Sequence, residues 1–325
     1  MQTDDRVENE VQALVNELYE RYRSLADGEV ATYIPELART PPDKFAICLV
    51  SAGGRVFEAG DVDQPFTIQS ISKPLTFGMA IEAYGRDEVL KHVSVEPSGD
   101  AFNSIELQNG SNRPFNPMVN TGAIAVSALL HHRYGDEALE RMLDRLSVAA
   151  GRRLGIDAAV YDSERRTGHR NRAIAHLLLN FGIFDYDAEA ALDLYFKQCS
   201  ILVTCRDLAT MAATLSNMGR NPVTGESAYE IVSVRDMLSI MFTCGMYDYS
   251  GQWAYRVGVP AKSGVSGGVM AVVNRQLGIA TYSPPLDERG NSRRGIEVCS
   301  GLAARLGLHV FDCLNAGSSY LKVVL

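Results

Sequence analysis

GGVMAVVNRQLGIATYS, residues 267–283, holds two runs of β-forming apolar residues separated by a short polar turn, the pattern of an antiparallel hairpin. It follows a long stretch, from Ser70 to about Gly245, that is mostly helical in its periodicity: 118–132, 136–150, 171–180, 187–198, 204–217 and 234–242 all place apolar residues at helical spacing. Thr204 with Asp207 reads as a variant capping box, and Asp187 as an N-cap. Near the other end, KFAICLVS (44–51) and RVFEAG (55–60) flank AGG and read as a second hairpin. An amphipathic helix at 4–25, behind a Thr3 or Asp4 cap, precedes it, and a helix at 295–306 follows the late hairpin. Strands at both ends with helices between them argue an α+β fold: a mainly antiparallel sheet built from both chain ends, with a helical lobe inserted between. No repeat or Pro/Ser-rich linker divides the chain, so 1–311 reads as one two-lobed domain and 312–325 as a loose tail.

With 46% hydrophobic and 22% charged residues over 325 positions, the composition is that of a globular protein able to bury a sizeable core. The net charge of -8 argues against nucleic acid or an anionic membrane as partner and favours a small molecule or a protein. The start, MQTDDRVENEV, is acidic where a secretory signal would be basic and then apolar, and no run reaches 18 apolar residues, so a cytoplasmic protein is expected. Six cysteines (Cys48, Cys199, Cys205, Cys244, Cys299, Cys313) sit in apolar contexts without a Cys-x-x-Cys pair and read as reduced core thiols. The histidines show no metal-ligand spacing, and the adjacent His131 and His132 diverge on a helix, so neither metal nor cofactor is expected.

The chemistry points to FTIQSISKPLTFGMAIEAYG (66–85), where Ser70 and Lys73 stand at i and i+3 just as a β-like segment passes into an apolar helix. That spacing puts hydroxyl and amine on one face. Pro74 belongs in a first turn, so the helix starts no earlier than about Ser70, at the positive end of its dipole. A lysine with its ordinary pKa cannot deprotonate a serine at neutral pH, but burial and nearby positive potential lower it. The bare motif has a second match, Ser319 and Lys322 in the tail, attributed to chance. A further element, PAKSGVSGG (260–268), presents Lys262, Ser263 and Gly264 before a strand, with small residues that let a ligand approach the backbone. Ser-x-x-Lys at a helix start followed by Lys-Ser/Thr-Gly near a late strand resembles the β-lactamase and penicillin-binding-protein superfamily.

Eight blocks narrow the resemblance: YIPELA (33–38), QSISKP (69–74), EPSGDAFNS (96–104), NPMVNTGAI (116–124), SERRTGHRN (163–171), YFKQCSI (195–201), CGMYDYSGQWAYRVGVPAKSGVSGG (244–268) and SPPLDERGNS (283–292). In this order they resemble the bacterial glutaminases, over approximately 33–308. The resemblance implies a β-lactamase-like fold, hydrolysis of L-glutamine to L-glutamate and ammonia without a cofactor, and a homo-oligomer, dimer or tetramer. It implies Ser70 as nucleophile, Lys73 as its base, Tyr247 as a proton relay, and the N–H groups of Ser70 and Val265 as oxyanion hole. For the substrate's amino-acid head it implies Tyr33, Asn120, Glu164, Asn171 and Tyr195, with Lys262, Ser263 and Gly264 in support.

Spacing alone leaves plainer readings open. Tyr195 lies in an apolar stripe with Leu192, Phe196 and Cys199, Asn120 stands where a helix cap would, and Glu164 and Asn171 read as loop and helix-start residues. Gly264, Ser266 and Gly268 match Gly-x-Ser-x-Gly, with Asp287 and His309 following in α/β-hydrolase order, but a nucleophile elbow needs a helix after it and a strand-like run follows here. A non-catalytic amino-acid or β-lactam binding module on the same fold is a third reading; the intact lysine, Tyr247 and Glu164 argue against it.

Overall fold

The computed structural model describes residues 2–99 and 105–312, with the backbone alone for 2–7. The chain opens with α1 (Gln2–Tyr22) and the hairpin of β1 (Ala46–Ser51) and β2 (Val56–Gly60). A two-residue strand, β3 (Phe66–Thr67), leads into α2 (Ser72–Tyr84), α3 (Arg86–His92), α4 (Asn120–Tyr134) and α5 (Ala138–Ala150). The helical lobe continues through β4 (Gly155–Ile156), α6 (Ala158–Thr167), α7 (His169–Asn180), α8 (Ala188–Cys199), β5 (Ile201–Val203), α9 (Cys205–Ser216) and α10 (Ile231–Cys244). Then come α11 (Ser250–Arg256), β6 (Ala261–Ser263), β7 (Gly268–Val273), β8 (Leu277–Tyr282) and α12 (Arg293–Leu306).

Both expected hairpins form, and they join edge to edge into one antiparallel sheet of order β2-β1-β8-β7-β6. The first and last thirds of the sequence meet where Cys48 of β1 faces Ala280 of β8. Side chains alternate between two cores. Ile47 and Leu49 pack toward α1, α12 and Trp253 of α11, while Ala46, Cys48 and Val50 pack toward α9 and the helical lobe. A sheet covered on both faces needs apolar residues at every position, which is why β1 and β7 read as unbroken hydrophobic runs. The capping box of α9 is present, with the Asp207 carboxylate accepting the Thr204 N–H at 2.7 Å, and Asp187 caps α8. Such caps stabilise a helix start by about 1 kcal/mol each.

Several expectations need correction. Helix α1 already runs from Gln2 and ends at Tyr22, so Thr3 and Asp4 lie inside it rather than capping it. Helices α3, α6 and α11, and a small second sheet of order β3-β5-β4, were not expected from periodicity. Helix α6 is mostly polar and amphipathic only weakly; its start rests on Asp157, whose carboxylate accepts the Ala159 and Val160 N–H groups. The expected tail beyond Asp312, Cys313, the second motif match Ser319/Lys322 and positions 100–104 of the EPSGDAFNS block lie outside the described residues. The other five cysteines are free and buried.

Candidate active site

Ser70 sits where the small sheet meets the lobe. β3 runs into a 3-10 turn, Gln69–Ile71, and α2 begins only at Ser72. The serine is therefore two residues ahead of the helix, not its first residue. Helix α2 is buried all round from Ser72 to Ile81, packed against α4 and α10, so it anchors the turn rigidly. Gln69 adopts φ +50°, a left-handed backbone that costs a non-glycine residue about 1–2 kcal/mol. Its side chain offsets this cost: Nε2 donates to Glu164 Oε1 at 2.8 Å and to Thr67 Oγ1 at 3.2 Å. Strain at the residue before the hydroxyl is a common feature of functional turns.

Lys73 lies one turn on and is fully buried. Its Nζ donates to Met118 O at 3.1 Å and to Asn120 Oδ1 at 2.7 Å. Burial brings the amine down from its usual value to about 8, while Cys199 and Glu164 act in the opposite direction. That shift removes about 3 kcal/mol of preference for the charged form. Asn120 is the first residue of α4 but makes no capping bond there; its amide instead joins the site. Oδ1 also accepts from the Tyr195 hydroxyl at 3.2 Å, and Nδ2 donates to Asn171 Oδ1 at 3.1 Å. Tyr195 is buried in the apolar stripe and carries this polar tip as well, so the core and site readings both hold for one residue.

On the other side of Ser70 runs β6, the edge strand that carries Lys262 and Ser263. Tyr247, at φ +56°, donates its hydroxyl to Ser263 O at 3.0 Å and shares a side-chain hydrogen bond with Ser70. Burial pushes its phenol well above the ordinary value, and the Ser70 bond pulls the other way. Lys262 Nζ lies 4.0 Å from the centroid of the Tyr247 ring and donates to Gly245 O at 2.9 Å and Ser263 O at 2.8 Å. Gly264 is small because a Cβ there would stand 3.1 Å from both Ile68 O and Ile71 Cγ1, wedging β6 away from the serine turn. The N–H groups of Ser70 and Val265 donate to no backbone acceptor among the described residues.

Ser70 opens into a cavity of about 120 Å³ lined by Tyr33, Asn120, Glu164, Asn171, Tyr195 and Val265, among others. This is far below the roughly 300–1,000 Å³ of a drug-sized site, which limits the occupant to a small metabolite. Burial raises the Glu164 carboxyl to about 7, while Gln69 and Lys73 pull it back. Glu164 belongs to the last turn of α6 rather than to a loop, and Asn171 to the first turn of α7. A wider cleft of about 980 Å³ shares Tyr33 and Val265 with the cavity and adjoins it. A groove of about 770 Å³ elsewhere is mostly apolar and contains none of the buried lysines, so size does not single out the site.

All twelve residues singled out from the sequence thus converge on one place. Gln69, Cys199, Thr167, Gly168 and Arg170 also line the cavity without having been singled out. All five were inside quoted blocks, and proximity in sequence to Ser70, Glu164, Asn171 and Tyr195 was the available signal. Ser266 lies in a turn between β6 and β7, so the strand-turn-helix elbow is absent, and its hydroxyl has no hydrogen-bond partner among the described residues. The Asp287 carboxylate accepts from Arg289 and Asn291 N–H, and the His309 ring pairs with Ala254 O, which disperses that triad. Among the described residues no cluster suits a metal ion, and no helix is long and apolar enough to cross a membrane.

A family model described as Glutaminase matches residues 28–311. The chain belongs to the glutaminase family. It is 56% identical over 302 residues to a glutaminase of Trichormus variabilis, covering 93% of this chain and 90% of that one. Among solved structures it resembles a probable glutaminase, ybaS, with a TM-score of 0.90 at 41% identity, covering 93% of this chain and 98% of that one. It also resembles a probable glutaminase from Bacillus subtilis complexed with 6-diazo-5-oxo-L-norleucine, with a TM-score of 0.85 at 35% identity, covering 92% and 96% respectively. The enzyme is an amidohydrolase that turns L-glutamine and water into L-glutamate and ammonia, on a β-lactamase-like α+β fold.

Proposed function

We propose that this glutaminase works through a glutamyl ester on Ser70. Lys73, as neutral amine, takes the hydroxyl proton while Ser70 Oγ attacks the γ-carbonyl carbon, and the N–H groups of Ser70 and Val265 receive the oxyanion. Tyr247 then donates its proton to the amide nitrogen, the C–N bond breaks, and ammonia leaves; Lys73 returns its proton to the Tyr247 oxygen. Water, deprotonated by the same groups, hydrolyses the ester to L-glutamate and restores Ser70. Glu164 pairs with the substrate's α-ammonium, and Tyr33, Asn120, Asn171 and Tyr195 meet its α-carboxylate. The observation that carries this reading is the Ser70 hydroxyl bonded to Tyr247, one turn ahead of a buried lysine brought down to about 8, on a cavity with Glu164 in its wall.

Glu164→Gln tests the head-group assignment. Loss of a buried charge-assisted bond, about 1.5–3 kcal/mol, lowers kcat/KM for L-glutamine by roughly 10- to 150-fold. N-acetyl-L-glutamine is correspondingly a poor substrate for the wild type. Steady-state ammonia release checks both, and an unchanged kcat/KM removes Glu164 from the site.

The pH profile of kcat/KM has a worked sign. Lys73 must be neutral and Glu164 ionised, so activity rises with pH through both groups, at about 7 and about 8, and levels above both. Below the lower value the limb approaches a two-proton slope. In Glu164→Gln it falls to one proton and moves below about 8, because Glu164 raises the Lys73 value. A single limb near 6.5, the ordinary histidine value, contradicts the reading.

A further inference from the structure

We infer that Ser72 and Gln198 are positioning residues that aim the Ser70 N–H at the substrate oxyanion, acting through the carbonyl at the other end of the same peptide unit. The inference rests on the proposed glutamyl ester and its oxyanion hole, and adds two side chains that never touch substrate. A peptide unit is planar, and in its trans form the C=O and the N–H point in opposite directions. Whatever holds Gln69 O therefore sets where the Ser70 N–H points. Gln69 O accepts two hydrogen bonds from Ser72, one from its N–H and one from its Oγ at 2.7 Å. Across that peptide the Ser70 N–H donates to no backbone acceptor among the described residues, so no helix or strand bond of its own sets its direction.

A serine at a helix start commonly bonds back to a carbonyl three residues earlier, and by itself that contact is ordinary. Here the hydroxyl is an acceptor as well. Gln198 Nε2, from α8, donates to Ser72 Oγ at 2.9 Å, and Ser127 Oγ, from α4, donates to Gln198 Oε1 at 3.3 Å. Ser72, Gln198 and Ser127 are all 0% exposed, so the chain of bonds is shielded from bulk water. Its donors run head to tail, from Ser127 to Gln198, from Gln198 to Ser72 and from Ser72 to Gln69 O. Such a chain polarises each bond in turn, and a polarised C=O makes the N–H of the same conjugated peptide a stronger donor. The Gln69 side chain is tied separately, to Glu164 Oε1 and Thr67 Oγ1, which holds the φ +50° backbone. Ser72 fixes the remaining freedom, rotation of the peptide plane between residues 69 and 70. Helices α4 and α8, which bring Asn120 and Tyr195 to the cavity, thus also steer the oxyanion donor.

The test is kcat, KM and thermal melts for wild type, Ser72→Ala, Gln198→Met and the double variant, with acid quench and peptide mass spectrometry to locate the glutamyl group. Removing an oxyanion donor outright costs about 10²–10³ in kcat, and releasing only its aim in Ser72→Ala costs about tenfold, while KM changes little. Gln198→Met leaves the serine bond in place but unsteered, and loses less. Ser72→Ala strands the Gln198 amide in the core and melts lower than wild type; the double variant has no amide to strand and melts higher than Ser72→Ala. Its kcat nevertheless stays at the Ser72→Ala level, because both side chains act through one carbonyl. A merely packing role predicts otherwise: wild-type kcat in Ser72→Ala, or a kcat that returns with stability in the double variant, and either result overturns the inference. A loss that falls on KM alone overturns it too. If Ser72→Ala does not fold, the double variant decides by itself. The adduct keeps the two failures apart. With the glutamyl group on Ser70 in the wild type, wild-type kcat in the double variant removes this inference alone; an adduct on another residue takes down the Ser70 ester reading, and this inference with it.

Discussion

Ser70→Ala should reduce glutamine hydrolysis by about 10⁴-fold or more, the scale seen when the nucleophile of an acyl-transfer site is removed. The loss should fall on kcat. Only the hydroxyl is removed, and the residue is held by its backbone in the 3-10 turn ahead of a helix buried from Ser72 to Ile81, so folding is preserved. L-glutamine should still bind, because the groups proposed to meet its head, Glu164 and the Asn120–Asn171–Tyr195 network, are held together without the hydroxyl. Ammonia release and calorimetric titration of the same preparation check the two halves separately. Substantial turnover by this variant removes the dyad.

Tyr247→Phe should lower kcat by about 100-fold or more, the usual scale for loss of general acid–base help, with little change in KM. Nitrogen cannot leave as an anion, so in the proposed mechanism collapse of the tetrahedral intermediate waits for a proton, and the Tyr247 hydroxyl, bonded to Ser70, is the group proposed to give it. Phenylalanine keeps the ring over Lys262 and removes only the oxygen. Wild-type kcat in this variant defeats the relay. A loss confined to KM reassigns Tyr247 to positioning and leaves Lys73 as the proton carrier.

Much of the fold was legible because hairpins announce themselves locally. The runs at 44–60 and 267–283 alternate two apolar faces around short turns, and each found its expected partner strand. Their joining along β1 and β8 is a contact between residues more than 200 positions apart; it followed from counting elements rather than from any local signal. Helix α6 was illegible because it is short, mostly polar and buries only one large apolar side chain, Val160, yet it carries Glu164. The left-handed backbone of Gln69 was illegible for a different reason. Glutamine has no preference for that conformation, and it is held there by Glu164, 95 residues away. Tyr195 and Asn120 show the limit of spacing arguments, since one side chain serves both the core and the cavity, and the other sits at a helix start without capping it. The family blocks singled out those residues where periodicity did not.

The central claim is a covalent bond between substrate and Ser70, and rapid acid quench of the wild-type enzyme mixed with excess L-glutamine, followed by intact and peptide mass spectrometry, tests it most directly. The account predicts a transient fraction heavier by one glutamyl group, carried on the peptide containing Ser70, absent from Ser70→Ala and accumulating in a variant slowed at deacylation. A glutamyl adduct on another residue, or full turnover with no adduct at any quench time in wild type and slowed variants alike, contradicts it.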